Sequence, residues 1–197
     1  WYTVRRPRMP RTNRQLRIEL RTRTHKALLY SASDIDVLDD DQLLKHPFLS
    51  RVGPDILDRA LTKAHVVERL CDPAFRNRSL GSLYLDQRFL AGNGNYLRSE
   101  ILWAAGLDSQ RKPAGLAAVE LEVLAEETLR MARRSYRTRG VTVAPALARK
   151  LKADGLGYAA YRFYVFGREG RPCRRCESPI KRRTMRSDTL RIQDHRP

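Results

Sequence analysis

The stretch Leu85-Asp-Gln-Arg-Phe-Leu-Ala-Gly-Asn-Gly-Asn-Tyr-Leu-Arg-Ser-Glu100 decides how this chain is read. An apolar segment runs into Gly92-Asn-Gly-Asn95, and that turn opens directly into a helical pattern. Two glycines two residues apart, Gly92 and Gly94, allow positive φ and the close approach of a partner, because no Cβ stands in the way. Asn95 then falls at or just before a helix start, where a side-chain amide and free backbone N–H groups point the same way. Such a terminus is a ready anion site.

The charge says which anion. The chain has 197 residues, a formal net charge of +17 and a pI near 10.6, a surplus that favours a polyanionic partner. No run reaches the apolar length of a membrane span, and no secretory signal marks the start, so nucleic acid is the expected partner and a membrane is not. A solvated basic surface, as on ribosome-associated proteins, is the plainer reading and still implies nucleic acid. Three cysteines, Cys71, Cys173 and Cys176, make no disulfide framework and fit a reducing cytoplasmic compartment. Cys71 lies in an apolar helical pattern and reads as a buried small hydrophobe. The length suffices for one substantial core, or one core plus a small appendage.

Outward from the turn, most of the pattern is helical. Residues 1–26 carry nine basic residues and one acidic residue, interrupted by Pro7 and Pro10. Leu16, Ile18 and Leu20 alternate with Arg17, Glu19 and Arg21, which predicts a half-buried strand, with Ala27–Tyr30 as its hairpin partner. Two strands need a larger sheet to join. The rest of that sheet is not in the sequence and the first residue is Trp1, so the reading frame is expected to be incomplete. Asp39–Lys45 reads as a helix stopped by His46-Pro47, and Thr62 as the N-cap of a helix over Lys63–Cys71 closed by Asp72-Pro73. Ser79–Arg88 and Asn95–Ala105 are further predicted helices, the second ended by Gly106. Leu116, Val119 and Val123 place an apolar stripe on a long helix reaching about Met131, with a basic corner over 133–140. Ala146–Lys152 is a short predicted helix, Tyr161–Phe166 a predicted strand, and a basic hairpin-like tail follows.

Several of these pieces, in one order and at matching intervals, resemble the formamidopyrimidine-DNA glycosylase and endonuclease VIII family over roughly residues 1–176. The match includes Leu28-Leu-Tyr-Ser-Ala-Ser-Asp34, His46-Pro-Phe-Leu49, Arg51-Val-Gly-Pro-Asp55, Phe75-Arg-Asn-Arg78 and Leu85-Asp-Gln87. It continues through Gly92-Asn-Gly-Asn95, Glu100-Ile-Leu-Trp103, Tyr136-Arg-Thr-Arg-Gly140 and Arg168-Glu-Gly-Arg-Pro-Cys173. The resemblance implies a mainly α fold: a helix-two-turn-helix domain with a remnant β hairpin before it and a degenerate zinc-ribbon-like β hairpin after it. It divides the chain into 1–38 (remnant of an amino-terminal β sandwich and linker), 39–158 (helix-two-turn-helix domain) and 159–197 (degenerate ribbon).

The activity implied is that of a bifunctional DNA glycosylase and abasic-site lyase acting on oxidised pyrimidines, cytoplasmic and nucleoid-associated, a monomer working on double-stranded DNA with oxidised bases or abasic sites. In the family an amino-terminal proline amine attacks C1′ and forms a Schiff base, its lone pair being free near neutral pH. No residue of this chain matches that proline, its neighbouring glutamate or the wedge that fills the gap after base flipping, so the chain carries no nameable catalytic residue. What carries over is DNA contact. Asn95 matches the turn asparagine that holds a phosphate beside the lesion, with Gly92 and Gly94 presenting it, and Arg51 matches a DNA-contacting arginine at the entrance to the helical domain. Arg78, Arg98 and Arg139 are further phosphate candidates, each set against a plain solvated charge. A non-catalytic nucleic-acid-binding module is the alternative reading. A ribosomal RNA-binding protein is a third, opposed by the Arg51 turn and the 168–176 segment.

The tail departs from the family. Cys173-Arg-Arg-Cys176 is half of a four-cysteine zinc ribbon, and the family spacing puts the second pair at positions held by Gln193 and Arg196, with His195 as the one substitute nearby. Zinc belongs to the family, but this chain, with two of four cysteine ligands, is expected to carry no cofactor. A redox dithiol lacks the strand-to-helix setting it needs. The family's hairpin arginine falls at about Asp188, a charge reversal, and beyond Lys181 the family pattern is lost, as an out-of-frame tail would give. Residues 177–197 are accordingly expected to be poorly ordered.

Overall fold

The structure, a computed structural model, describes residues 1–184 and 191–194 and divides into two compact units, Trp1–Leu49 and Ser50–Pro197. Among the described residues no helix is long and apolar enough to cross a membrane.

In the first unit, β2 (Leu16–Arg21) and β3 (His25–Tyr30) form the expected antiparallel hairpin. A third strand that the basic run concealed, β1 (Tyr2–Arg5), pairs with the other edge of β3, giving the order β1-β3-β2. The half-buried alternation expected for β2 is not realised. The register shifts between Leu16 and Ile18, and Leu16 and Leu20 are both exposed while Glu19 is half-buried. A bulge of this kind undoes period-two patterning, because the residues after it face the opposite way. Glu19 instead receives Arg21 Nε at 2.9 Å and Lys26 Nζ at 3.1 Å. Helix α1 (Asp40–Lys45) follows, its N-cap Asp39 accepting from Gln42 N at 2.8 Å.

The second unit is helical. Helix α2 (Lys63–Cys71) starts on the Thr62 cap as read, and buries Val66 and Leu70. Cys71 is exposed, contrary to the sequence reading, because it lies one residue beyond that buried stripe at the helix end. The long helix expected from Ser79 shrinks to α3 (Leu80–Leu83). Asp86 ends it: its carboxylate accepts from Arg88 N at 2.9 Å and pairs with the Arg88 and Arg78 side chains, holding residues 86–89 in turns. Those guanidinium groups, Arg88 foremost, hold the Asp86 carboxyl well below the usual range. Helix α4 (Asn95–Ala105) and its left-handed cap Gly106, φ 69°, are as predicted.

Helix α5 (Ala118–Arg137) is longer than expected and turned differently. Val119 and Val123 are exposed, and the buried face is Leu124, Ala125, Thr128, Leu129, Met131 and Ala132. The expected stripe rests on the first turns, whereas small and polar residues of the later turns, such as Thr128 bonded to Tyr84 Oη at 2.7 Å, fill the interface. Helices α6 (Pro145–Ala153) and α7 (Tyr158–Tyr161) surround a small second core of Val141, Val143, Ala148 and Tyr161. Strands β4 (Lys181–Thr184) and β5 (Arg191–Asp194) pair antiparallel, Lys181 opposite Asp194. Ile180 is buried in the main core, and Arg183 reaches Asp108 at 3.2 Å. Asp188, His195 and Arg196 lie outside the described residues.

No strand forms over 161–166. The reason is Glu100, buried on α4, whose carboxylate accepts from Tyr164 N at 2.9 Å, Val165 N at 2.8 Å, Phe166 N at 3.0 Å and Thr142 Oγ1 at 2.5 Å. Three successive N–H groups converging on one acceptor leave none for a ladder. Burial pushes the Glu100 carboxyl above its ordinary range, against the pull of those four donors. Removing the acceptor leaves the three backbone N–H groups without their partner, Val165 N in the interior. Glu100→Ala is expected to destabilise the protein by about 3–5 kcal/mol in urea denaturation, against about 1 kcal/mol for Thr142→Val. A loss below about 1 kcal/mol for Glu100→Ala would show that the 164–166 segment is held by something else.

Candidate nucleic-acid interface

The turn before α4 is built by side chains reaching back from its own flanks. Gln87 Oε1 accepts from Gly92 N at 2.9 Å, and Gln87 Nε2 donates to Asn93 O at 3.0 Å. Asn93 is buried, its Nδ2 donating to Tyr84 O at 2.6 Å. With Gly92 at φ 83°, a conformation that suits glycine, the chain reverses and enters the helix. Gly94 behaves differently from the expectation of positive φ. It is the extended N-cap of α4, φ −120°, and a Cβ built on it would meet nothing within 4 Å.

Asn95 is the first residue of α4 and is half-exposed. No side chain caps this helix, so the N–H groups of its first turn keep no intrahelical partner. The orientation of the Asn95 amide is forced. Its Oδ1 accepts from Arg98 Nη2 in a short contact, and a guanidinium has only donors, so the oxygen must face it and Nδ2 is left without a partner among the described residues. Arg98 is not the solvated charge considered from sequence. It is fully buried, with Nη1 donating to Gly81 O at 2.8 Å and Nε without a hydrogen-bond partner. Desolvation pushes it down to about 10, so it stays protonated at neutral pH.

Arg51 ends a 3-10 turn over Leu49–Arg51 and is exposed. The segment that follows it is laid along the chain leading to the turn. Gly53 N donates to Gln87 O at 2.9 Å, Ala91 N to Pro54 O at 3.0 Å, and Ile56 N to Ala91 O at 3.0 Å. Position 53 must be glycine, since a Cβ there would stand 2.4 Å from Arg88 O. Arg69 secures the same strip, donating to Phe89 O at 2.7 Å and Arg88 O at 2.6 Å. The segment that follows Arg51 and the chain that leads to Gly92 are thus joined by backbone hydrogen bonds. Of the further candidates, Arg78 is paired with Asp86, while Arg139 is exposed at positive φ, 54°. A groove of about 270 Å³ beside Gly92 is lined by Tyr96, Ser135, Tyr136, Arg139 and Gly140. Sequence reasoning gave no role to Gln87, Asn93 or Glu100, and to Arg98 only that of a surface phosphate contact. Six amide or charged side chains over residues 87–100, around the glycine turn, are the signal, and it does not say which of them turn inward.

Residues 52–145 match the formamidopyrimidine-DNA glycosylase H2TH domain. Endonuclease 8 of Enterobacter sp. (strain 638) is 49% identical over 188 residues, which is 95% of this chain and 68% of that protein. Endonuclease 8 of Escherichia coli (strain K12 / DH10B) is 49% identical over 187 residues, again 95% and 68%. Among solved structures, MutM (Fpg) from Thermus thermophilus superposes with a TM-score of 0.63 at 26% identity, covering 93% of this chain and 71% of that one. Lactococcus lactis Fpg in complex with DNA containing an abasic site gives 0.66 at 17% identity over 97% and 68%, a likeness of fold.

The two cysteines of the tail form a thiol knuckle. Cys173 N donates to Ser178 O at 2.8 Å, Glu177 N to Cys173 O at 3.0 Å, and Arg175 N to Cys173 Sγ at 3.4 Å. Hydrogen bonds from Ser178, and then from Cys173, hold the Cys176 thiol below its ordinary value. Zinc takes four ligands. Cys173 and Cys176 are two thiols of that set. Among the described residues no cluster of three or more His, Cys, Asp or Glu side chains could hold a metal. Dialysis against a chelator is therefore expected to shift the melting temperature by less than about 1 °C, whereas a ribbon built on zinc unfolds when the metal leaves. A large drop, reversed by added zinc, would contradict this account of the tail.

Proposed function

The chain belongs to the family of endonuclease 8 and formamidopyrimidine-DNA glycosylase, enzymes of DNA repair, and from that premise we propose that residues 50–184 supply the grip on damaged duplex DNA. The observation that carries the reading is the fixed Asn95 amide: oxygen tied inward to Arg98, nitrogen left to donate, at a helix start whose N–H groups have no side-chain cap. A phosphate satisfies that set of donors, and Arg51, on the strip sewn to the turn, adds a charge-assisted contact. The net charge of +17 supplies the long-range attraction. Gly94, beside which a Cβ would touch nothing of this protein, leaves room for a sugar-phosphate backbone to come close.

The substrate class in this reading is double-stranded DNA with oxidised pyrimidines or abasic sites. The chain spans 68% of the endonuclease 8 relatives. We assign none of its residues to the amine nucleophile or to proton transfer, and place its contribution in DNA binding. Borohydride trapping on an abasic duplex separates this from the enzymatic reading: no covalent adduct is expected from the 197 residues by themselves, and an adduct would mean that Trp1 or a lysine amine supplies lyase chemistry.

Binding to an abasic duplex should be salt-sensitive and largely independent of sequence. Neutralising about four to six phosphates gives a log–log salt slope of roughly −4 to −5. Asn95→Ala should weaken binding by about 1–2 kcal/mol, the scale of a hydrogen bond to a charged group. A salt-independent affinity would contradict phosphate recognition altogether, and an unchanged affinity for Asn95→Ala would remove the turn from it.

A further inference from the structure

Arginines of the second unit find their partners in two ways, at carboxylates and at backbone carbonyls. Arg78 and Arg88 share Asp86, Arg111 has Glu120, and Arg130 has Glu127. Arg69, Arg133, Arg134 and Arg168 donate to backbone carbonyls, and Arg168 is also buried, but Arg98 is the more completely enclosed. It is fully buried, and its hydrogen bonds go to two neutral oxygens, Gly81 O and Asn95 Oδ1, with no carboxylate pairing among the described residues. Glu100, two residues along the same helix, spends its carboxylate on the 164–166 backbone and Thr142. A buried, protonated, unneutralised guanidinium is costly, and an anion arriving nearby offsets that cost. Among the described residues, the polar side chain bonded to this charge is Asn95, at the uncapped start of α4.

We propose that Arg98 is a positioning residue and internal counter-cation for the bound phosphate: it locks the Asn95 amide nitrogen outward and balances the phosphate charge through that amide. The proposal rests on the reading that Asn95 receives a DNA phosphate, and adds to it the source of the positive charge. Two physical effects follow. Orientation is fixed before binding, so no side-chain entropy is lost at Asn95. The Asn95 Nδ2–H bonds are also polarised by the cation on the other side of the amide, as in a hydrogen-bonded chain in a low-dielectric setting. Exposed arginines elsewhere provide steering; Arg98 acts only on a phosphate seated at the turn.

The test is a double-mutant cycle on the full chain, measuring equilibrium binding to a duplex carrying a tetrahydrofuran abasic analogue across a potassium chloride series. Arg98→Met is expected to weaken binding roughly ten- to hundredfold and to flatten the salt slope by about 0.5–1. Asn95→Ala, costly in the wild type, should cost less than about twofold in the Arg98→Met background. Arg98→Lys should keep the wild-type slope, because the charge remains. A purely structural role would weaken affinity without moving the slope, would not be rescued by lysine, and would leave the two substitutions multiplicative; that result overturns the inference while leaving the DNA reading intact. If Asn95→Ala binds like the wild type, the phosphate is not at the turn and both fall. Should Arg98→Met fail to fold by circular dichroism, nitrogen-15 spectra of the wild type decide: the Arg98 Nε–H and Asn95 amide signals must shift together on adding the duplex, and a stationary Arg98 signal overturns the inference.

Discussion

The burial of two oppositely charged side chains on one helix is the constraint from which the second unit is organised. Arg98 and Glu100 are both fully buried on α4, and neither neutralises the other. Each finds its partners in a different direction. Glu100 gathers the backbone of 164–166 and Thr142, and so fixes the chain that leads into the cysteine knuckle. Arg98 gathers Gly81 on α3 and Asn95 at its own helix start. Leaving either charge without partners in the interior would cost several kcal/mol, so α3, the glycine turn and the 164–166 segment are held in place by the requirement that both be satisfied.

That arrangement also explains how a chain of net charge +17 concentrates its recognition. A large surplus of arginine gives attraction but not register. Much of it is consumed locally: Asp86 alone binds two guanidinium groups, and Arg69, Arg133 and Arg134 are spent on backbone carbonyls. Register comes from the turn. Gln87 and Asn93 clamp it, the Gly53–Ile56 strip lies along its approach, and Asn95 emerges at its end with a single allowed amide orientation.

Helix boundaries are legible in the sequence wherever one residue's chemistry settles them. Thr62 begins α2, Asp39 begins α1 and Gly106 ends α4, each through a local cap that depends on nothing distant. The site is legible in part for the same reason, since Gly92 and Asn95 announce a turn and a helix start. What is not legible depends on contacts far apart in sequence. The strand expected at 161–166 is prevented by a carboxylate some 64 residues earlier, visible only once α4 is folded. The α5 stripe is misplaced because Val119 and Val123 are apolar yet exposed, while Thr128 is polar yet buried against Tyr84. Arg98 looks like any surface arginine, because no local pattern tells a buried guanidinium from a solvated one. Period two over 16–20 is real in the sequence and is undone by a one-residue bulge.

The most direct measurement is a crystal structure of the full chain with a short duplex bearing an abasic-site analogue. The account predicts a phosphate oxygen within about 3.2 Å of Asn95 Nδ2, with Oδ1 still on Arg98 and Arg51 beside the same strand. A complex in which the duplex lies elsewhere on the basic surface, with the start of α4 open to solvent, would contradict it.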